Sequence, residues 1–143
     1  MLDRFSPPVS AWFSSSFPEP TPAQSQGWPA IADGAHTLIC APTGSGKTLA
    51  AFLWSIDRIV TAPMPEKTRR TRVLYISPLR ALAFDVEKNL RAPIAGIGLA
   101  AERLGVADGF IAPVVGMRTG DTSPRDRAAL IRHPPDILIT TPE

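Results

Sequence analysis

The chain has 143 residues, 44% hydrophobic and 20% charged, which suits one packed domain and argues against general disorder. Lys and Arg exceed Asp and Glu by only 15 to 13, so the net charge of +2 is too small by itself to indicate nucleic acid. The single cysteine, Cys40, excludes an intrachain disulfide and a thiolate metal cage, and no apolar run approaches the ~18–20 residues of a membrane span. The expectation is a cytoplasmic protein with no membrane association.

Residues 1–34 form a lead-in that sets Phe5, Trp12, Phe13, Phe17 and Trp28 among Pro, Ser and Gly, with a short helix near 23–32. Its rings suit covering a core better than stacking on bases. The remainder, 35–143, reads as one domain. Residues 36–41 (HTLICA) are a nearly continuous apolar run with β-branched members, the pattern of a buried strand. Residues 47–60 place Leu49, Phe52, Leu53, Ile56, Ile59 and Val60 on one helical face. The basic run 67–72 follows as a solvated loop, a better reading than a nucleic-acid contact.

A second strand is expected at 73–77 and a helix at 79–90, with Leu79, Leu82, Ala83, Val86 and Leu90 on its inner stripe. Pro93 marks a break, after which 94–105 resumes as helix. A third strand at 111–116, a short helix at 124–131 behind a Ser123 cap, and a fourth strand at 136–140 complete the chain. Strands alternating with helices imply βαβ units and a parallel sheet. The fold class is α/β, a three-layer arrangement.

The segment Ala41-Pro-Thr-Gly-Ser-Gly-Lys-Thr48 lies between the strand at 36–41 and the helix at 47–60, the context a phosphate loop requires. Gly44 and Gly46 let backbone N–H groups curl round a phosphate, and the helix behind them presents its unpaired N–H groups to the same anion. Thr43 and Ser45 complete the turn. Lys47 is placed to reach the β- and γ-phosphates of ATP, and the Thr48 hydroxyl to hold Mg²⁺. Ala41 stands where the general pattern has its first glycine, a small residue the turn tolerates. Such a loop does not by itself choose between kinases, transport ATPases, GTPases and helicases. Gln24, 17 residues before Ala41, has an amide that can pair with the N6 and N7 edge of adenine, although a glutamine at a helix start is commonly just a surface residue.

Taken together with the loop, Pro20-Thr-Pro-Ala-Gln24 resembles the adenine-reading Q motif of superfamily-two helicases of the DEAD/DEAH type. Ser77-Pro-Leu-Arg-Ala-Leu-Ala83 is similar to their motif Ia, Gly116-Met-Arg-Thr-Gly-Asp-Thr122 to their glycine-containing segment, and Thr140-Thr-Pro-Glu143 to motif Ib, all in the family's order. The wording T-L-A-A-F-L-W, Y-I-S-P-L-R-A-L-A-F-D and D-I-L-I-T-T-P-E resembles the Lhr, or large helicase-related, group, ATP-dependent helicases linked to nucleic-acid repair. The resemblance implies a RecA-like first motor domain in which Lys47 and Thr48 are catalytic. It implies that Gln24 and residues 43–48 bind ATP with Mg²⁺. It also places Pro78, Arg80, Arg118, Thr119, Gly120, Thr141, Pro142 and Glu143 along the backbone of single-stranded or forked DNA, or of RNA.

The family's D-E-x-H or D-E-x-D box, which supplies a Mg²⁺-holding Asp and a water-positioning Glu, does not occur in these residues. Asp121 and Asp136 are the carboxylates nearest strand ends, but neither has that sequence context. The expectation is therefore the front of an incomplete first motor domain, which binds ATP, hydrolyses it poorly alone, and works with the remaining helicase domains of a longer chain. Two rivals stay open. Another P-loop ATPase or small-molecule kinase would not depend on nucleic acid, and a stand-alone nucleotide- or nucleic-acid-binding module would not turn ATP over. His36 and His133 are isolated from other metal-ligating residues, and the serines show no nucleophile elbow.

Overall fold

A computed structural model describes residues 1–142 and divides the chain into two compact units. The first comprises Met1–Thr61 with Gly96–Phe110, the second Ala62–Ala95 with Ile111–Glu143. The division falls inside one helix, whose two halves belong to different units.

The first unit is helical. Helix α1 (Pro7–Ser16) was not legible from apolar spacing, yet its start is well specified: Ser6 is extended, and Pro7 and Pro8 occupy positions whose N–H groups would be unpaired in any helix. Helix α2 (Pro22–Ala32) packs on α3 (Lys47–Thr61), close to the expected bounds for both. Their core contains Phe5, Val9, Phe13, Trp28, Phe52, Leu53 and Ile56. Edge-to-face pairs join Phe5 to Trp28 at 5.0 Å and Phe13 to Trp28 at 5.4 Å, so these lead-in rings do cover a core, while Phe17 stays partly exposed. Buried Asp57 of α3 accepts from the Ser6 N–H at 2.9 Å and from the Arg58 guanidinium, tying the start of α1 to α3.

Residues 36–41 correct the sequence reading. They do not form a strand, and Leu38 stands 87% exposed. An apolar run expresses a demand for burial, but a strand also needs a ladder partner. Among the described residues, no strand pairs with this segment.

The second unit holds a parallel sheet of β1 (Val73–Ile76), β2 (Val115–Arg118) and β3 (Ile137–Thr140), in the order β1-β3-β2. Val73 and Val115 both register with Ile137, and the central strand buries Ile137 and Ile139 completely. Strand β2 begins four residues later than expected from position 111. Pro113 has no N–H to give a ladder, and the Val114 N–H goes to Asp136 Oδ2 at 2.9 Å. Helix α5 (Pro124–Arg132) starts behind the expected cap, with Ser123 Oγ accepting from the Asp126 N–H at 3.1 Å.

The expected break at Pro93 is absent, because α4 (Arg80–Arg103) runs through it. An interior proline costs about 3 kcal/mol. Burying Leu90 and Ile97 on either side contributes roughly 1.5–3 kcal/mol each, enough to hold the helix together. On the expected inner stripe, Ala83, Val86 and Leu90 are buried, whereas Leu79 and Leu82 remain exposed. Nor is the basic run 67–72 merely solvated, since Arg70 Nε and Arg72 Nη2 each lie 2.9 Å from Asp136 Oδ1.

Candidate functional site

The phosphate loop belongs to the first unit. Gly44 and Gly46 take φ values of 80° and 77°, conformations open to glycine and strained for other residues. The Ala50 N–H then bonds the Gly46 carbonyl at 2.9 Å, so α3 begins at the loop and directs its free N–H groups there. Lys47 Nζ donates to the carbonyls of Ala41 and Pro42, the latter at 2.7 Å, which folds the ammonium over the mouth of the loop.

Two side chains from the start of α2 fasten this loop from behind. Thr21 Oγ1 donates to the Ser45 carbonyl at 2.7 Å, and Gln24 Nε2 donates to the Gly46 carbonyl at 3.4 Å. The same residues form the N-terminal cap of α2. Thr21 Oγ1 accepts from the Gln24 N–H, and Gln24 Oε1 accepts from the Thr21 N–H at 3.0 Å. Gln24 is buried, with its amide turned to the loop backbone. An amide has two donors and two acceptor lone pairs, so one of each is left for a base edge. Sequence reasoning passed over Thr21, although T-x-x-Q is itself the capping-box signature.

The donor set fits a nucleotide. Ser45 Oγ is buried without a partner among the described residues, at the centre of the loop, and a Cβ at Gly46 would fall 2.4 Å from Gln24 Nε2. Thr43 and Thr48 are exposed, Thr48 at the start of α3. No group of three His, Cys, Asp or Glu side chains among the described residues is arranged for a metal. The exposed Thr48 hydroxyl is the loop group that could hold a Mg²⁺ ion brought by a nucleotide. A cleft of about 510 Å³ lies between the start of α2 and residues 37–42, but Gln24 and Gly44–Thr48 do not line it.

The expected nucleic-acid residues fall in the second unit. Because the three strands are parallel and in register, Ser77, Thr119 and Thr141 follow β1, β2 and β3 at one edge of the sheet, all three buried. This is the edge where open α/β sheets place ligands. The Thr141 hydroxyl is buried without a partner among the described residues. Pro78, Arg80, Arg118, Gly120 and Pro142 are exposed around that edge, and Glu143 lies outside the described residues. Arg80 Nη1 donates to Asp121 Oδ1 at 2.7 Å. Arg127 of α5, unremarked in the sequence, reaches the carbonyls of Thr119 and Gly120 at 3.3 and 3.4 Å.

Asp136 sits at the opposite edge, before β3. Burial pushes its carboxyl up, but the Val114 N–H, Arg70 and Arg72 together hold it below the usual carboxylate value. With all three donors on it, Asp136 is a structural anchor and no metal ligand.

The first unit carries the phosphate loop with its T-x-x-Q cap, and the second carries the motif-bearing ends of a parallel sheet, the features of a RecA-like α/β domain. The family model for the DEAD/DEAH box helicase matches residues 21–143, and the chain belongs to that family. More narrowly, it is similar to Lhr helicases. It is 56% identical over 142 residues to the "Lhr helicase/ probable uracil glycosylase" of Mycolicibacterium smegmatis. It is 47% identical over 146 residues to the "Lhr helicase/uracil glycosylase" of Escherichia coli K12. In both comparisons 99% of this chain is covered, and the chain spans only 9% of the relative's length. The structure of Mycobacterium smegmatis helicase Lhr bound to ssDNA and AMP-PNP superposes with a TM-score of 0.90 at 54% identity, over 99% of this chain and 17% of that one. The α/β, RecA-like class read from the sequence is the class of these neighbours. Among the described residues, no helix is long and apolar enough to cross a membrane.

Proposed function

We propose that this chain is the front of the first motor domain of an ATP-dependent, Lhr-like nucleic-acid helicase. In the whole protein, this domain couples ATP hydrolysis to movement along DNA or RNA. The observation that carries the reading is the phosphate loop, fastened by Thr21 and Gln24 and mouthed by Lys47. Its support from likeness is the relative solved with ssDNA and AMP-PNP.

Lys47 exchanges the Ala41 and Pro42 carbonyls for the β- and γ-phosphates, and residues 43–46 give their N–H groups to the same oxygens. Gln24 keeps its hold on the loop while its remaining donor and acceptor read adenine. Thr48 would hold the Mg²⁺ that accompanies the nucleotide, and that ion would supply positive charge against the charge that develops on phosphoryl transfer. Arg80, Arg118 and the turns beginning at Thr119 and Thr141 track the strand by its backbone, which selects no sequence. No D-E-x-H box lies in these residues, so the segment alone binds ATP without turning it over efficiently. A cytoplasmic role in nucleic-acid repair is part of the same reading.

Lys47→Ala is the decisive substitution. It is expected to abolish measurable ATP binding by the segment and to abolish ssDNA-stimulated ATPase activity in the full natural chain. Unchanged ATP affinity in the variant defeats the phosphate-loop assignment. An ATPase indifferent to nucleic acid favours the rival small-molecule kinase or ATPase.

A further inference from the structure

The loop after β2 carries an anion where its surroundings suit a phosphate. Asp121 presents its carboxylate to Arg80 at 2.7 Å from a braced turn. The Thr119 N–H donates to Thr122 Oγ1 at 2.8 Å, the Asp121 N–H to Thr119 Oγ1 at 3.2 Å, and the Thr122 N–H to the Thr119 carbonyl at 3.2 Å. Arg127 holds the Thr119 and Gly120 carbonyls from the other side. Gly120 gives Arg80 a fitted seat, because a Cβ there would fall 2.9 Å from Nη2. The guanidinium and the carboxylate are thus positioned against each other by the fold, at the strand-end edge of the sheet.

Resting on the reading of Arg80 as a grip on the nucleic-acid backbone, we propose that Asp121 is an internal competitor for the phosphate that Arg80 binds. The carboxylate keeps the guanidinium at the strand's path, and strand binding exchanges carboxylate for phosphate. Both side chains are partly exposed, 42% for Arg80 and 66% for Asp121. Exposed pairs of this kind shift an equilibrium by roughly 1.5- to 5-fold, weak enough to exchange and strong enough to set affinity. A protein that tracks a strand must also let go of each phosphate. A resident carboxylate returns to Arg80 as the phosphate leaves, which speeds release.

The test is a mutant cycle in the full natural chain, with labelled oligo-dT as the probe and low-salt Kd values from fluorescence anisotropy. Arg80→Ala is expected to weaken binding. Asp121→Asn, which keeps size and loop hydrogen bonding, is expected to tighten it roughly two- to fivefold, and to have no effect beside Arg80→Ala. Asp121→Ala, which also removes the acceptor, should match Asp121→Asn. If Arg80→Ala weakens binding but the Asp121 variants leave it unchanged or weaker, Asp121 is only a brace and the proposal fails. Equal tightening with and without Arg80 overturns it as well, because the effect is then general charge. If Arg80→Ala itself changes nothing, the strand-grip reading falls and takes the competitor with it.

Discussion

Gly46→Ala tests the fastened phosphate loop more sharply than removal of any side chain. An added Cβ would fall 2.4 Å from Gln24 Nε2, 3.2 Å from Gln24 Cδ and 3.3 Å from Thr21 Oγ1. Gln24 is buried and cannot simply swing into water. Its displacement gives up the bond to the Gly46 carbonyl and the bond from the Thr21 N–H, worth about 1 kcal/mol each. The φ of 77° adds roughly 1–2 kcal/mol of strain for a residue with a Cβ. About 3–4 kcal/mol set against the binding conformation lowers ATP affinity by roughly 10²–10³-fold. Gly44→Ala is the matched control, with a φ of 80° but nothing within 4 Å of its Cβ. It bears the strain alone, roughly a 5- to 30-fold loss. Titration with a fluorescent ATP analogue gives both affinities, and thermal unfolding shows whether both variants are folded. If the folded Gly46→Ala protein binds as well as Gly44→Ala, Gln24 does not brace the loop.

Three further outcomes are expected. Lys47→Ala abolishes ATP binding, read by the same titration. Thr21→Val loses the bond to the Ser45 carbonyl and the cap on the Gln24 N–H, so ATP affinity should fall roughly tenfold, with Thr21→Ser restoring it. A valine variant that binds like the wild type rules out a role for the hydroxyl. Asp136→Asn should destabilise the fold at neutral pH by about 2–4 kcal/mol, a figure tempered by the partial exposure of Arg70 and Arg72. The folded pKa of Asp136 is depressed, so its contribution is fully present above the ordinary value of 3.8 and is lost as pH falls through the lower folded value. Urea unfolding at neutral and acidic pH should show wild type and variant converging in acid. A constant gap would mean that the charge of Asp136 is not the source.

Much of the fold was legible because it is written in local signals. The helical stripe from Phe52 to Val60, the Ser123 cap and the short β-branched runs at β1 and β3 each carry their own period or punctuation. What failed was whatever depends on a distant partner. Residues 36–41 have strand composition, but pairing is a property of two segments. Pro93 is a local stop signal, overridden by burial of Leu90 and Ile97 around it. Arg70 and Arg72 read as a solvated run because the carboxylate that collects them lies more than 60 residues away. The site shows the same division. The loop's glycines and Lys47 could be read directly, whereas the hold of Thr21 on the Ser45 carbonyl spans 24 residues and needed the fold to appear.

Asp121 and Asp136 show how topology decides between residues that a sequence treats alike. Both are aspartates beside short strands, and the sequence does not tell them apart, since each lacks the context of the family's metal-holding Asp. Asp121 lies beyond the end of β2, however, while Asp136 lies before the start of β3. Since β2 and β3 are parallel, with Val115 opposite Ile137 and Arg118 opposite Thr140, an end and a start are on opposite edges of the sheet. The starting edge has only structure to maintain, and there the carboxylate gathers the Val114 N–H and two guanidinium groups into one anchor. The finishing edge is where strands hand over to loops and helix N-termini, so a carboxylate there stands among groups suited to phosphate. The two aspartates should therefore respond oppositely to neutralisation. At position 136 it removes stability and leaves strand affinity to follow the folded fraction. At position 121 it leaves stability nearly untouched and raises strand affinity. Measuring unfolding and oligo-dT binding on both variants separates the two roles, and a shared pattern of loss would mean that the edge of the sheet does not decide what a carboxylate does.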